Sequence, residues 1–115
     1  MSRSRYFDVQ VEGPVTVVKF TEAILDESNL RPAAEKLEAL AEKPDQEEVR
    51  LDFGGVSFLS SFGLGRVVNL HQRLQAAGRR LVLVNVPPLL LDVFRVTGLL
   101  SVLDLQSGEG KRTKR

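Results

Sequence analysis

Few residues of this chain could do chemistry. His71 is the only histidine, there is no cysteine, and serines gather at Ser57, Ser60 and Ser61. The lack of cysteine excludes a thiolate nucleophile, a disulfide framework and the Cys-rich zinc sites, and a lone histidine excludes His-paired metal motifs. His71 falls among Val67, Val68 and Leu74 on the apolar arc of a helical repeat, where a packed, hydrogen-bonded histidine is commoner than a general base. Nothing near it in sequence supplies the orienting third group of a triad. The carboxylate pairs Glu47-Glu48 and Asp26-Glu27 lie in expected turns or caps, where solvation or the helix dipole accounts for them. Gly54, Gly55, Gly63 and Gly65 stand between a strand and a helix, the place of a phosphate cradle. Yet neither a GxGxxG nor a Walker lysine pattern is present, and the loop holds no lysine. What remains is a helix start carrying Ser57, Ser60 and Ser61. Its unpaired first-turn amides favour a phosphoryl group or a partner's carboxylate. Ser60 acting simply as the helix cap accounts for the same residues equally well.

The surrounding elements are legible from periodicity. Tyr6 to Val11 alternates apolar and polar positions, Glu12-Gly13-Pro14 supplies a turn, and Val15 to Phe20 is β-branched and apolar, so the two runs predict a hairpin. From Asp26 the period lengthens. Leu30, Ala33, Ala34, Leu37, Leu40 and Ala41 form a helical stripe, with Asp26, Ser28 or Asn29 as N-cap and Pro44 as terminator. Pro32 is compatible with that helix only within its first turn. Val49 to Phe53 predicts a third strand, and Leu64, Val67, Val68, Leu70, His71, Leu74 and Ala77 a second helix. Ser60 or Ser61 is available to cap that helix and Gly78 to stop it. Leu81 to Val86 reads as a strand buried on both faces. Pro87-Pro88 opens a short helix to about Val96, stopped by Gly98, and Val102 to Leu105 closes the domain as a last strand. The order β-β-α-β-α-β-α-β predicts an α/β fold whose mainly parallel sheet begins with an antiparallel pair.

The 115 residues fit one domain. The formal net charge of +1 is an average. Arg3, Arg5, Lys111, Arg112, Lys114 and Arg115, against Glu109, give the ends +5, and the body from 6 to 105 carries −4. Residues 1–5 and 106–115 therefore read as basic tails, the latter disordered, and 6–105 as the domain. Solvated termini explain such tails, and a nucleic-acid or membrane contact is the other reading. The acidic body lacks the interleaved basic and aromatic residues of a specific nucleic-acid surface. No apolar run approaches the ~20 residues of a membrane helix, and the N-terminus lacks a signal core, so an intracellular, cytoplasmic domain is expected.

The stretch Val49-Arg50-Leu51-Asp52-Phe53-Gly54-Gly55-Val56-Ser57-Phe58-Leu59-Ser60-Ser61-Phe62-Gly63-Leu64-Gly65 resembles the signature of STAS domains, the family of sulphate transporters and anti-sigma-factor antagonists. The family pattern is an apolar strand ending in Asp, then a Gly-Val-x-Phe-x-Asp-Ser-Ser-Gly-Leu loop opening a helix. Ala77-Gly78 with Leu81 to Val86 matches the following Gly-x-x-Leu-x-Leu-x-Asn step, and Pro88, Val93-Phe94 and Gly98-Leu99 match the last helix and its exit. The likeness covers residues 6 to 105. It implies a mixed sheet with an initial hairpin, helices packed mainly on one side, no catalysis and no cofactor. It also implies a protein-interaction switch in bacterial transcription regulation. In the antagonists of that family the serine directly before the loop glycine is phosphorylated by an anti-sigma kinase, and the unphosphorylated form captures that kinase.

Here the pattern departs at the switch itself. Ser60 stands at the Asp position, Ser61 at the first Ser, and Phe62, which has no hydroxyl, at the phosphoacceptor position before Gly63. The resemblance therefore implies a partner-binding surface at Ser57, Ser60, Ser61, Phe62, Gly63, Leu64 and Arg66. Its partner would be an anti-sigma-type kinase or regulator, and the usual switch is lost. Phe62 reads either as an exposed interface anchor or as packing on the helix flank. Ser61 is an alternative acceptor, re-aimed by ~100° relative to the position after it. An accessory subunit of a membrane transporter complex, its basic tail near anionic lipid, and a small-ligand or nucleotide module are the other readings. Self-association as a weak homodimer through the edge strand Tyr6–Val11 is also open.

Overall fold

Side-chain alternation along three strands sets the architecture, as a computed structural model of the chain shows for residues 2–3, 6–43 and 45–105. Pro44 and the tail 106–115 lie outside the described residues. In chain order the elements are β1 (Ser2–Arg3), β2 (Phe7–Glu12), β3 (Val15–Phe20), β4 (Ile24–Leu25), α1 (Glu27–Ala39), a 3₁₀ turn (Leu40–Glu42), β5 (Glu48–Asp52), β6 (Phe58–Leu59), α2 (Ser61–Ala76), β7 (Arg80–Val84), α3 (Pro88–Val96), a second 3₁₀ turn (Leu99–Ser101) and β8 (Asp104–Leu105). Six strands form one mixed sheet in the order β1-β2-β3-β5-β7-β8, and β4 pairs with β6 in a separate two-stranded ribbon. The β2–β3 hairpin is antiparallel with Val9 opposite Val18, and the β3–β5, β5–β7 and β7–β8 pairs are parallel. The predicted α/β fold with an initial hairpin is the observed one.

One face of the sheet, carrying Val18, Phe20, Val49, Leu51, Leu81 and Leu83, joins Leu30 and Leu37 of α1, Val67, Leu70 and Leu74 of α2, and Leu90 and Phe94 of α3 in a single buried cluster. The helices thus pack on one side. Phe7, Phe20, Phe53 and Phe94 run through this cluster as a chain of rings with centroids 6.3, 5.2 and 6.4 Å apart. Each such ring, fully buried, contributes about 1.5–3 kcal/mol relative to exposure. The other face is polar: Glu48 pairs with Arg50 and Arg80, Arg80 with Asp104, and Lys19 with Asp52. Val82, between Arg50 and Asp104 in register, is fully buried there. This accounts for the continuous apolar run of β7.

Several boundaries differ from the sequence expectation for local reasons. The strand expected over Leu81–Val86 ends at Val84, because Asn85 takes a left-handed φ of 55°. The strand expected over Val102–Leu105 begins only at Asp104, since Val102 has helical dihedrals behind the second 3₁₀ turn. The third strand is Glu48–Asp52, one residue earlier than expected, and Phe53 instead accepts from Val56 N–H in a turn. The strand expected over Tyr6–Val11 is β2, Phe7–Glu12, one residue later than expected. Pro32 lies in the second turn of α1, not the first. Its partner carbonyl would be that of Ser28, an exposed residue, so water can replace the missing bond. Ser2 and Arg3, assigned by sequence to the tail, pair with Val9 and Asp8 and occupy part of the β2 edge open to self-pairing.

Gly78 stops α2 as expected. Its φ of 76° lets Gly78 N–H reach Gln75 O at 3.0 Å and Arg79 N–H reach Leu74 O at 2.8 Å, the two bonds of a Schellman cap.

Candidate functional site

The loop from Phe53 to Ser60 is fixed at both ends. At its start Asp52 Oδ1 accepts from Gly54 N–H at 2.9 Å and from Asn85 Nδ2 at 3.2 Å. At its end β6 lies parallel to β4, pairing Phe58 with Ile24 and Leu59 with Leu25. Ser57 N–H donates to Ala23 O at 2.7 Å, the Ser57 hydroxyl donates to the same oxygen at 3.2 Å, and Ser60 N–H donates to Leu25 O at 2.9 Å. The starts of α1 and α2 are thereby held side by side.

Both helices are capped there by side chains. Asp26 caps α1, accepting from Ser28 and Asn29 N–H while Asn29 Oδ1 accepts from Asp26 N–H. The Ser28 hydroxyl bond, joined by the Asn29 and Ser28 amides, outweighs desolvation and holds the Asp26 carboxyl below its ordinary pKa. Ser60 caps α2, its Oγ accepting from Gly63 N–H at 3.2 Å, so of the two serines available as cap it is Ser60. Ser61 is exposed in the first turn, and its hydroxyl makes no hydrogen bond among the described residues. Gly63 is buried where α2 packs against Leu30 of α1 and Leu59 of β6. A Cβ at this position would stand 3.0 Å from Leu30 Cδ1 and closer still to Leu59 Cδ1.

Phe62 does not fall cleanly into either expected role. It is half-buried and packed against the core, with the Arg31 guanidinium 5.2 Å and the Arg66 guanidinium 5.6 Å from its ring centroid. Both cations also carry a carboxylate. Arg31 pairs with Glu27, and Arg66 Nη1 donates to Glu38 Oε2 at 2.5 Å, an oxygen shared with Asn69 Nδ2 at 3.2 Å. Arg66 therefore ties α1 to the ring at the head of α2. Leu64 is half-buried against the core.

Periodicity alone does not reveal Ile24 and Phe58. These cross-strand neighbours in β4 and β6 are each 51% exposed and form an apolar pair next to Ser57. Phe58 stands in the motif quoted above, but its direction is set by a two-residue strand whose partner lies 34 residues earlier in the chain. His71 lies three turns along α2 from Ser60, about 16 Å by helical rise, too far for a Ser–His pair. It is half-buried, but its Nδ1 is buried without a hydrogen-bond partner among the described residues, so the bond expected of a packed histidine is missing at that atom. Between α1 and α2 an apolar void of about 20 Å³ is lined by Leu30, Ala34, Leu37, Gly63, Val67 and Leu70. Ligand pockets run to roughly 300–1,000 Å³, so this void does not hold a nucleotide. Among the described residues no acidic or histidine cluster is arranged for a metal ion, and no helix is long and apolar enough to cross a membrane.

The sequence matches the family model of the STAS domain over residues 6–111. BtrV of Bordetella bronchiseptica, named provisionally as an anti-sigma factor antagonist, is 39% identical over 72 residues. That match covers 60% of this chain and 62% of BtrV, less than two thirds of its length. An anti-sigma-factor antagonist (STAS) domain protein from Planctomyces limnophilus has a similar structure, with a TM-score of 0.75 at 26% identity over 88% of this chain and 89% of the other. The Bacillus cell fate determinant SpoIIAA in its phosphorylated form shares the fold, with a TM-score of 0.69 at 23% identity over 90% and 93% of the two chains. Motif, strand order and family match all fall on the same stretch of sequence, and the chain belongs to the STAS domain family, where it is similar to anti-sigma factor antagonists.

Proposed function

We propose that this domain is a non-enzymatic protein-interaction module that binds an anti-sigma-type kinase or regulator through the start of α2, without the serine phosphoswitch of its family. The binding surface consists of Ser57, Ser60, Ser61, Phe62, Leu64 and Arg66, extended by the exposed Ile24–Phe58 pair, while Gly63, expected there from the sequence, is buried against Leu30 and Leu59 and supports the surface from beneath. Its setting is the bacterial cytoplasm, in the regulation of transcription.

The observation that carries this reading is Phe62 at the phosphoacceptor position, its ring held by Arg31 and Arg66. A phosphoserine would bring about −1.5 to −2 charge to this surface. The ring brings a fixed apolar face instead, of the kind enriched in interface cores. Ser61 is the remaining hydroxyl in the first turn, and a one-residue shift re-aims it by ~100°. A kinase that reads the next position does not modify it.

Binding is tested with purified anti-sigma-type kinases of the same organism. Phe62→Asp and the double variant Ile24→Ser/Phe58→Ser should each lose the partner that the wild type retains, with unchanged circular dichroism. Full recovery by both variants sinks the assigned surface. Intact-mass measurement after incubation with kinase and ATP should show no added phosphoryl group, and a stoichiometric gain of about 80 Da would show that the switch persists.

A further inference from the structure

Helix α3 carries a second exposed patch that shares no residue with the start of α2. Leu90 and Phe94 fill the core, and Leu91 packs against it from the flank. The outward face holds Leu89 and Val96, 69% and 81% exposed, with half-buried Val93 between them. At ~100° per residue Leu89, Asp92, Val93 and Val96 share one arc of about 100°, and Arg95 borders that arc on the Asp92 side. Asp92 and Arg95 form an i,i+3 ion pair, and both side chains are more than half exposed.

We propose that this face packs on the α3 face of a second copy, antiparallel, about a two-fold axis midway between Leu89 and Val96. A two-fold interface uses the same patch on both sides, so the patch must complement itself. The outward face of α3 does so in shape and in charge. Leu89 of each copy meets Val96 of the other, and the two Val93 side chains lie near the axis. In an antiparallel pair like flank meets like flank, so Asp92 of each copy faces Arg95 of the other. The axial mismatch of that pair is about 3 Å, two residues of helical rise, which an arginine side chain spans. The pair within each helix is exposed and worth little, so exchanging it for two pairs between copies costs little. A helix of nine residues is only about 13 Å long and buries less than the roughly 1,200 Å² of a standard interface. The dimer is therefore weak, with a dissociation constant on the order of 0.1 mM.

The test is sedimentation of the full chain from about 10 µM to about 1 mM. The wild type should pass from monomer to dimer across that range. Asp92→Arg and Arg95→Asp each give a flank of one sign and should weaken association by about tenfold or more. An equimolar mixture of these two variants should restore a dimer, now between unlike chains. Leu89→Ser should weaken it without changing the far-ultraviolet circular dichroism, because Leu89 is exposed. A wild type that stays monomeric at the highest concentration overturns the proposal. So does a wild-type dimer that the charge swaps leave intact, or that their mixture fails to restore, since the contact would then lie elsewhere.

Discussion

Asn85 Nδ2 donates to Asp52 Oδ1 at 3.2 Å, joining the ends of two neighbouring parallel strands 33 residues apart in sequence. Both residues belong to the quoted family pattern, and their contact gives each a physical role. Asp52 also receives Gly54 N–H and lies 3.9 Å from Lys19 Nζ, so one carboxylate fixes the start of the loop that ends at Ser60. Asp52→Ala should lower stability by about 1–2 kcal/mol, read by urea denaturation, because two donors lose a charged acceptor. At position 85 the backbone is left-handed, so Asn85→Gly should be less harmful than Asn85→Ala by about 1 kcal/mol. Equal losses for Gly and Ala would show that the hydrogen bond alone matters there.

Two glycines of the same helix should respond with opposite signs to alanine. Gly63 is buried against Leu30 and Leu59, whereas a Cβ on Gly65 meets nothing within 4 Å. Gly63→Ala forces the α1–α2 contact apart and should cost about 1–2 kcal/mol even after its gain in helix propensity. Gly65→Ala should stabilise by about 0.5–1 kcal/mol, since its backbone is already helical and its surroundings are open. Thermal unfolding of the two single variants separates the effects, and stabilisation by both would mean that α2 does not approach α1 as closely as described.

The Asp26 cap makes part of the stability depend on acid. Bonds from the Ser28 hydroxyl and from backbone amides lower its folded-state pKa below the ordinary 3.8. A depressed folded value means that the contribution is complete above the unfolded pKa and is lost as pH falls through the folded one. Asp26→Asn keeps a capping oxygen but does not titrate. The stability difference between wild type and Asp26→Asn should therefore be flat near neutral pH and shift against the wild type below about pH 3.8. A difference independent of pH down to about pH 2 would remove Asp26 from the acid response.

Strands β3, β5 and β7 were legible because Val18, Leu51, Leu83 and their neighbours are buried so fully that apolar pattern and position coincide. The helix start was legible too: serine is a preferred cap, and Ser60 is the cap. Ile24 and Phe58 were not, because strands of two residues are too short to show alternation. Nor was the setting of Phe62, which depends on Arg31 of another helix, brought near by the β4–β6 ribbon. A periodic pattern records which face of an element is buried. It does not record which long side chain from a neighbouring element folds over an aromatic ring.

The sharpest consequence of Phe62 is that one substitution should restore what the family pattern expects. Phe62→Ser places a hydroxyl at the position before Gly63, in the first turn of α2, where backbone amides favour an added phosphate. It also removes the ring that Arg31 and Arg66 now cover, leaving two guanidiniums beside the new side chain. Loss of the packed ring should cost about 2–4 kcal/mol, so folding is checked first by circular dichroism and thermal unfolding. Provided the variant folds, an anti-sigma kinase that binds the wild type should phosphorylate it, and intact-mass measurement should show one added phosphoryl group that the wild type lacks. Phosphorylation should then release the partner, because it places about −1.5 to −2 charge on a binding surface that the serine hydroxyl leaves neutral. A folded, partner-binding Phe62→Ser domain that takes no phosphate would show that the switch depends on more than the missing hydroxyl. The serine at position 60, where the family has an aspartate, would be the next residue to exchange.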